Sequence, residues 1–405
     1  MTRPSAPPVA YVGLDRQLHV ISAEGGPARQ VSFPAIASEL QLWGGATGKD
    51  SCSWPTWSPD GRWLAFFRAL SEGDAPVEVD VCVLEVDGVE ERQLTHLSDG
   101  LPLYASWNRS GDALAVLVQR GEELELRTCR PDAVGEHRVV DEGPPLFFSW
   151  LPDGSRLLIH AGGQGGKRVV VRDALGVRED APMPGEPGTF CAPMVVGEEV
   201  LYARANGTRS TLIRAHPDGS DPRALWEVDG LIAFVPSPDQ SLVAFGSVDH
   251  DRGPYDGVSV MPLDGSSEPR RVIDHPCLAF AWLPDGQGLL SATIDEERKC
   301  LWWHLHLLAS GDERRLCPFR PTREMMFQLH FFEQFVQTHP LISPDGRWLI
   351  QATFPNAADG PDAPSGPPRI EILDLSDPRA RPRLLAHGRF ATFGPPGLAD
   401  PSAAG

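Results

Sequence analysis

Histidine spacing is the first chemical feature of this chain. His304 and His306 stand two residues apart in the strand-like segment Trp302-Trp303-His304-Leu305-His306-Leu307. Side chains at this spacing in a strand point to one face, so both imidazoles share that face. Imidazole nitrogens are common ligands of divalent metals, and His330 and His339 follow in the next segment. The four histidines are therefore candidate metal ligands, the alternative being ordinary strand and loop residues.

A second candidate site overlaps the same part of the chain. Phe327, Phe331 and Phe335 recur at helical spacing in a stretch with no glycine, so one or two helical turns are predicted. Such a stretch is either a plug packed within the molecule or an exposed contact surface. For the contact surface, the predicted binding residues are Phe331, Phe332, Gln334, Phe335, Gln337 and His339.

A repeated turn predicts the framework that positions these residues. Trp57-Ser58-Pro59-Asp60-Gly61 returns in similar form around residues 107, 150, 236, 282 and 342. Proline presets the first turn position, aspartate caps the turn through the backbone, and glycine accepts a positive φ. An apolar run follows most turns, which is typical of strands buried on both faces. Each repeat therefore predicts a hairpin within one sheet of a β-propeller.

Marker spacing predicts the number of sheets. The first residue of each copy of the turn serves as a marker, and the steps between successive markers are 50, 43, 86, 46 and 60 residues. Because 86 is twice 43, a further sheet is expected near residue 193. The segment 11–32 has the pattern of three strands without an innermost one, and Phe390-Ala391-Thr392-Phe393 can supply it. The prediction is an all-β propeller of eight blades, closed by pairing of the N- and C-terminal strands. Seven blades remain the alternative if the ends pair elsewhere.

The repeat also predicts the domain organisation. Residues 10–393 are expected to form a single propeller domain, with disordered tails at 1–9 and 394–405. The insertion 319–340 accounts for the longest irregular step. Of two other departures, 33–53 is expected to be a packed connection, the alternative being a loop that reaches over one mouth of the ring, and 355–368 is expected to be a flexible hairpin tip.

The pairing of this turn with an outer-strand motif resembles one known family. Val86-Asp87-Gly88 followed by Arg92-Gln93-Leu94-Thr95 accompanies the Ser-Pro-Asp-Gly turn, and the combination resembles the PD repeats of TolB-like β-propellers. This resemblance implies the fold and leaves the activity open, because the family includes periplasmic interaction proteins, peptidase-associated propellers and sugar lyases.

The late histidines carry a narrower resemblance. Gln334-Phe335-Val336-Gln337-Thr338-His339 is similar to the Gln-x-x-His-x-His pattern of oligogalacturonate lyases, with Gln337 in place of the middle histidine. The resemblance implies manganese held by histidines and a glutamine.

Composition limits the remaining functions. A formal net charge of −19 opposes binding to a phosphate backbone, so no nucleic acid partner is expected. The seven cysteines occur singly, and the N-terminus lacks an apolar signal core, so membrane insertion is not expected and a cytoplasmic location is predicted. No Gly-x-Ser-x-Gly elbow or phosphate-binding loop is present.

The sequence favours a non-enzymatic scaffold without a cofactor, binding a protein or peptide on one face. The alternative is a metal-assisted lyase or hydrolase of an acidic oligosaccharide, with a divalent metal such as manganese.

Overall fold

A computed structural model describes residues 6–34, 49–71, 78–88, 90–97, 100–162, 166–188, 191–249, 253–355 and 366–395. Most of the predicted connection at 33–53 and of the predicted hairpin tip at 355–368 lies outside these ranges.

Within these ranges the chain forms thirty strands and two short helices. The strands are β1 (Pro8–Gly13), β2 (Leu18–Ser22), β3 (Arg29–Gln30), β4 (Lys49–Trp57), β5 (Trp63–Ser71), β6 (Glu78–Glu85), β7 (Glu91–Leu97), β8 (Leu101–Trp107), β9 (Leu114–Arg120), β10 (Glu123–Cys129), β11 (His137–Glu142), β12 (Leu146–Trp150), β13 (Arg156–Ala161), β14 (Arg168–Asp173), β15 (Ala181–Pro182), β16 (Met194–Val196), β17 (Glu199–Asn206), β18 (Arg209–Ala215), β19 (Arg223–Asp229), β20 (Leu231–Pro236), β21 (Leu242–Val248), β22 (Val258–Pro262), β23 (Arg270–Ile273), β24 (Ala279–Trp282), β25 (Gly288–Asp295), β26 (Cys300–Leu307), β27 (Glu313–Pro321), β28 (Trp348–Phe354), β29 (Arg369–Asp374) and β30 (Arg383–Phe393). The helices are α1 (Arg323–His330) and α2 (Phe332–Phe335), which lie between β27 and β28.

Four-stranded antiparallel sheets dominate the topology. Strands β4 to β7, β8 to β11, β12 to β15, β16 to β19 and β20 to β23 each form one such sheet in chain order. The sheet of β16 to β19 lies where the doubled marker step predicted it. The all-β class with repeated antiparallel sheets is thus confirmed.

The remaining strands form one ten-stranded sheet, in the order β24 to β30 followed by β1, β2 and β3. The N-terminal strand β1 therefore pairs antiparallel with the C-terminal strand β30, and Val9 faces Phe393 in register. β1 begins at Pro8, two residues before the predicted domain boundary.

Hydrogen bonds explain why the turn motif recurs. The Ser58 hydroxyl donates to Asp60 Oδ1 at 2.6 Å and accepts from the Trp63 backbone N–H at 2.9 Å. Ser237 and Ser343 make the same contacts in their own turns. The aspartates therefore act as turn formers that set the start of the second strand.

Tryptophan at the end of the first strand links neighbouring sheets. Trp107 Nε1 donates to the Thr56 carbonyl at 3.1 Å, and Trp150 Nε1 donates to the Ser106 carbonyl at 3.0 Å. Trp282 Nε1 donates in the same way to the Val235 carbonyl at 2.9 Å. Each indole nitrogen thus satisfies a carbonyl on the first strand of the preceding sheet.

Candidate functional site

Helices α1 and α2 form a compact insertion that is anchored at its start. The Thr322 hydroxyl accepts a hydrogen bond from the Met325 backbone N–H at 3.2 Å, which caps α1. The same hydroxyl donates to the Arg389 carbonyl on β30 at 2.7 Å. The cap therefore also fixes the insertion to the strand that pairs with the N-terminus.

Polar contacts hold the insertion against the first strands of several sheets. Gln334 exchanges two hydrogen bonds with the backbone of Phe148 on β12. The Tyr104 hydroxyl on β8 donates to the Gln334 carbonyl at 3.0 Å. The Phe234 backbone on β20 hydrogen-bonds the Glu333 carboxyl. The insertion thus lies between first strands rather than on an outer surface.

The aromatic residues of α2 are buried. The exposed fraction is 3% for Phe332 and 2% for Phe335. The ring of Phe335 lies 5.0 Å from Tyr104 and 5.1 Å from Trp54, measured between centroids. Phe332 and Phe335 are therefore packed within the molecule, as the plug alternative predicts, whereas Phe331 is only half-buried.

Two cavities flank the insertion at opposite ends of the first strands. The tryptophan cavity, of about 550 Å³, is lined by the ends of β12, β20 and β24, including Trp150 and Trp282, and by Gln328 and Gln337. The leucine cavity, of about 360 Å³, is lined by Leu103 and Leu146 at the start of β8 and β12, by Leu117 on β9 and by Leu124 on β10. The insertion separates these two spaces.

Every predicted binding residue lines at least one of these cavities. Phe332, Phe335, Gln337 and His339 border the tryptophan cavity. Phe331, Gln334 and Phe335 border the leucine cavity. The two cavities thus divide the predicted set, and Phe335 belongs to both.

Polar groups are few in the tryptophan cavity but well placed. Gln328 Nε2 donates to the His339 carbonyl at 2.8 Å, and Gln328 Oε1 has no hydrogen-bond partner among the described residues. The Ser149 hydroxyl donates to Gln337 Oε1 at 2.8 Å. A buried acceptor without a partner is costly unless a ligand or water satisfies it.

Two ionisable groups of the insertion are buried in uncharged form. Burial raises the pKa of Glu333 from 4.5 to about 8, and the Phe234 backbone hydrogen bond only partly offsets this. Burial likewise lowers the pKa of His339 from 6.5 to about 3. His339 contacts the hydroxyls of Thr338 at 2.7 Å and Thr56 at 3.3 Å. Both groups are therefore neutral at pH 7.

The four candidate metal-ligating histidines are not brought together. His304 and His306 lie on β26, the third strand of its four-strand unit. His330 is exposed at the end of α1, and His339 is buried beside Trp54 and Phe390. The sequence pattern correctly places His304 and His306 on one face, with ring centroids 6.2 Å apart.

Two residues that sequence reasoning missed complete a cluster around His304. His275 precedes β24, and Glu313 begins β27. Their ligand atoms and that of His304 all lie within 4.8 Å of one another. His306 faces Glu313 directly in the register of β26 and β27. Aligning these two strands as a hairpin in the sequence could therefore have placed Glu313 beside the histidines of β26.

Burial lowers the pKa of the two histidines on β26. Desolvation lowers the pKa of His304 despite its hydrogen bond to Glu313, and lowers that of His306 to about 4. The pKa of Glu313 is lowered by its histidine neighbours in spite of partial desolvation. His304 and His306 are thus biased toward the neutral imidazole, and Glu313 toward the carboxylate.

No family model matches the chain, and no curated protein matches it. Among solved structures, a eukaryotic initiation factor is 11% identical and superposes over 98% of this chain and 100% of its own, with a TM-score of 0.53. An oligogalacturonate lyase from Vibrio parahaemolyticus is 11% identical over 94% of this chain and 86% of its own, with a TM-score of 0.46. TolB from Acinetobacter baumannii is 14% identical over 74% and 77%, with a TM-score of 0.41.

TolB proteins and oligogalacturonate lyases are thus among the structural neighbours of this chain, as the turn motif predicted. At these identities the likeness concerns the fold alone. None of the helices in the described ranges is long and apolar enough to cross a membrane.

Proposed function

We propose that this chain is a non-enzymatic propeller scaffold that binds an extended segment of a partner protein in the tryptophan cavity. The observation that carries this proposal is an open apolar space, walled by tryptophan and proline at the strand ends, with a small number of polar groups among its lining residues. Such a combination is typical of sites that bind a ligand by burial and orient it by a few hydrogen bonds.

The proposal includes an eight-bladed ring. Five blades are the separate four-stranded sheets, and the ten-stranded sheet supplies three more. β27 pairs with β26 along most of its length and with β28 only through Arg320 and Pro321. β30 pairs with β29 up to His387 and with β1 from Gly388 onward. Each long strand thus serves two blades, and β30 closes the ring with the N-terminal strand.

An extended polypeptide suits the chemistry of the tryptophan cavity. Trp150 and Trp282 provide flat apolar surfaces, and Pro236, Pro284 and Pro344 add rigid walls without donor groups. Aromatic-lined grooves of this kind bind extended and proline-containing segments. The exposed Gln337 amide, which also lines the cavity, can exchange hydrogen bonds with the backbone of such a segment.

Net charge favours a basic partner. The formal charge of −19 creates a field that steers cationic segments toward the molecule and opposes acidic ones. We therefore expect lysine or arginine beside the apolar residues that enter the cavity.

Cysteine chemistry supports a cytoplasmic location within the same proposal. All seven cysteines are buried free thiols. A chain that keeps this many thiols unpaired suits a reducing compartment.

A phage-displayed library of random peptides tests the proposal. We expect enriched peptides to be apolar and basic, and their affinity to fall by about tenfold or more for Gln337→Arg, because the new cation narrows the cavity and repels the ligand. Met326→Arg is the matched control, since Met326 is also exposed on the insertion but lines neither cavity. Failure to enrich any peptide, or equal binding by both variants, contradicts the proposal.

The alternative of a metal-assisted lyase has weaker support from geometry. Its four histidines lie in three separate places, and the buried His339 is already surrounded by aromatic rings and hydroxyls.

A further inference from the structure

We propose that His275, His304 and Glu313 form a Zn²⁺ site on the outer part of the unit formed by β24 to β27. This site is independent of the proposed peptide binding. It uses two residues that belong to no sequence motif, and it ties the connection before β24 to strands β26 and β27.

Convergence on one carboxylate oxygen is the basis of the site. Glu313 Oε1 lies 2.5 Å from His304 Nδ1 and 3.2 Å from His275 Nε2. Two imidazole nitrogens and a carboxylate are a donor set that suits Zn²⁺, with a further position left for water. Tetrahedral coordination separates neighbouring donors by roughly 3.3 Å, given metal–ligand distances of about 2.0–2.2 Å.

Small side-chain movements are sufficient to admit the ion. The donor atoms all lie within 4.8 Å of one another. Glu313 Oε1 lies only 2.5 Å from His304 Nδ1, so the carboxylate must retreat by about an ångström to reach the donor separation of a tetrahedral site. Glu313 is 43% exposed and His275 is 33% exposed, whereas His304 is only 12% exposed. The least exposed residue, His304, thus provides the most fixed ligand, and the two more accessible residues can close on the metal.

Hydroxyl groups orient the imidazoles from behind. Thr293 Oγ1 lies 3.1 Å from His304 Nε2, and Ser291 Oγ lies 2.9 Å from His306 Nε2. A hydroxyl can donate or accept, so Thr293 stays hydrogen-bonded whether His304 Nδ1 carries a proton toward Glu313 or presents a lone pair to a metal. Such outer contacts are typical of histidines that bind metals.

The nearby cation does not occupy the site. Arg315 faces His304 across the strands, but its guanidinium lies over the Trp302 ring, 3.4 Å from the centroid. It also contacts Asp295 at 3.8 Å. The Arg315 guanidinium is therefore held by Trp302 and Asp295. The formal net charge of −19 also attracts cations to the molecule as a whole.

Calorimetric titration of the chelator-treated, tag-free full chain with zinc chloride tests the site. We expect one strong equivalent per chain, and an affinity reduced by about tenfold or more in both His275→Ala and Glu313→Gln. Neither side chain is part of the buried core, so both variants should fold. Co²⁺ substitution should give the visible absorption of a four-coordinate ion in the parent and not in these variants.

His96→Ala is the matched control. His96 Nδ1 lies 2.8 Å from Asp80 Oδ1, so this change removes a histidine–carboxylate pair without a second histidine. We expect zinc to bind this variant as tightly as the parent and to raise the unfolding temperature of both. Absence of a strong equivalent in the parent, unchanged affinity in His275→Ala and Glu313→Gln, or an equal loss in His96→Ala would each overturn the proposal.

Discussion

Gln334 binds the backbone of Phe148 through both ends of its amide. The Phe148 N–H donates to Gln334 Oε1 at 3.0 Å, and Gln334 Nε2 donates to the Phe148 carbonyl at 2.8 Å. These bonds imitate a strand pairing on the free edge of β12, the first strand of its sheet. One side chain of the insertion therefore continues a ladder that would otherwise leave two backbone groups without partners.

Replacing Gln334 with alanine should destabilise the fold. The change leaves the Phe148 N–H and carbonyl buried without their partners, at about 1–3 kcal/mol for each group. Equilibrium urea unfolding measures the loss. Gln337→Ala is the control: Gln337 is exposed, and the Ser149 hydroxyl keeps the Pro193 carbonyl at 2.6 Å as its acceptor, so the free energy of unfolding should change by less than about 0.5–1 kcal/mol. Equal effects of the two changes would show that the double hydrogen bond contributes little.

Replacing Phe335 with alanine should lower the free energy of unfolding by about 3–5 kcal/mol, because the ring is buried among Trp54, Tyr104 and His339. Phe332→Ala should have a similar effect for the same reason. Met326→Ala serves as the control, since Met326 is 40% exposed. A loss at Phe335 no larger than at Met326 would contradict the plug.

Glu333 should make stability fall as pH rises. Burial raises its pKa from 4.5 in an unfolded chain to about 8 in the fold, so the folded state binds the proton more tightly between these values. The stabilisation is complete below about pH 4.5 and is lost toward pH 8, at up to about 1.4 kcal/mol per pH unit.

Glu333→Gln should remove this dependence, because the amide carries no proton to lose. The variant should therefore gain stability over the parent progressively from pH 5 to pH 8, as measured by urea unfolding at each pH. Glu324→Gln, on the same insertion, is the control and should follow the parent. A constant difference between Glu333→Gln and the parent across this range would refute the buried neutral acid.

Deleting residues 388–405 should cause aggregation. The deletion removes the part of β30 that pairs with β1 and leaves an unpaired strand edge, which recruits other chains. Light scattering and the unfolding temperature measure the outcome. Deleting only 396–405 is the control, since it removes no residue of β30. If the chain without residues 388–405 stays as monodisperse and heat-stable as the parent, pairing with the C-terminal strand does not close the structure.

Local chemistry in the sequence determined the repeated sheets. The Ser-Pro-Asp-Gly turn carries its own hydrogen bonds within a few residues, as Ser58 and Asp60 show, so it forms the same hairpin wherever it occurs. The terminal pairing was also predictable, because segment 11–32 lacked one strand and residues 390–393 had no sheet of their own.

Tertiary structure alone decided the two sites. The spacing of Phe327, Phe331 and Phe335 predicted one or two helical turns, but the surrounding strands decided that Phe332 is buried and Gln337 exposed. His275 and Glu313 join His304 only because β24, β26 and β27 fold into one sheet unit. Contacts of this kind join residues far apart in the chain, and no local turn, period or motif records which side chains the folded sheets will bring together.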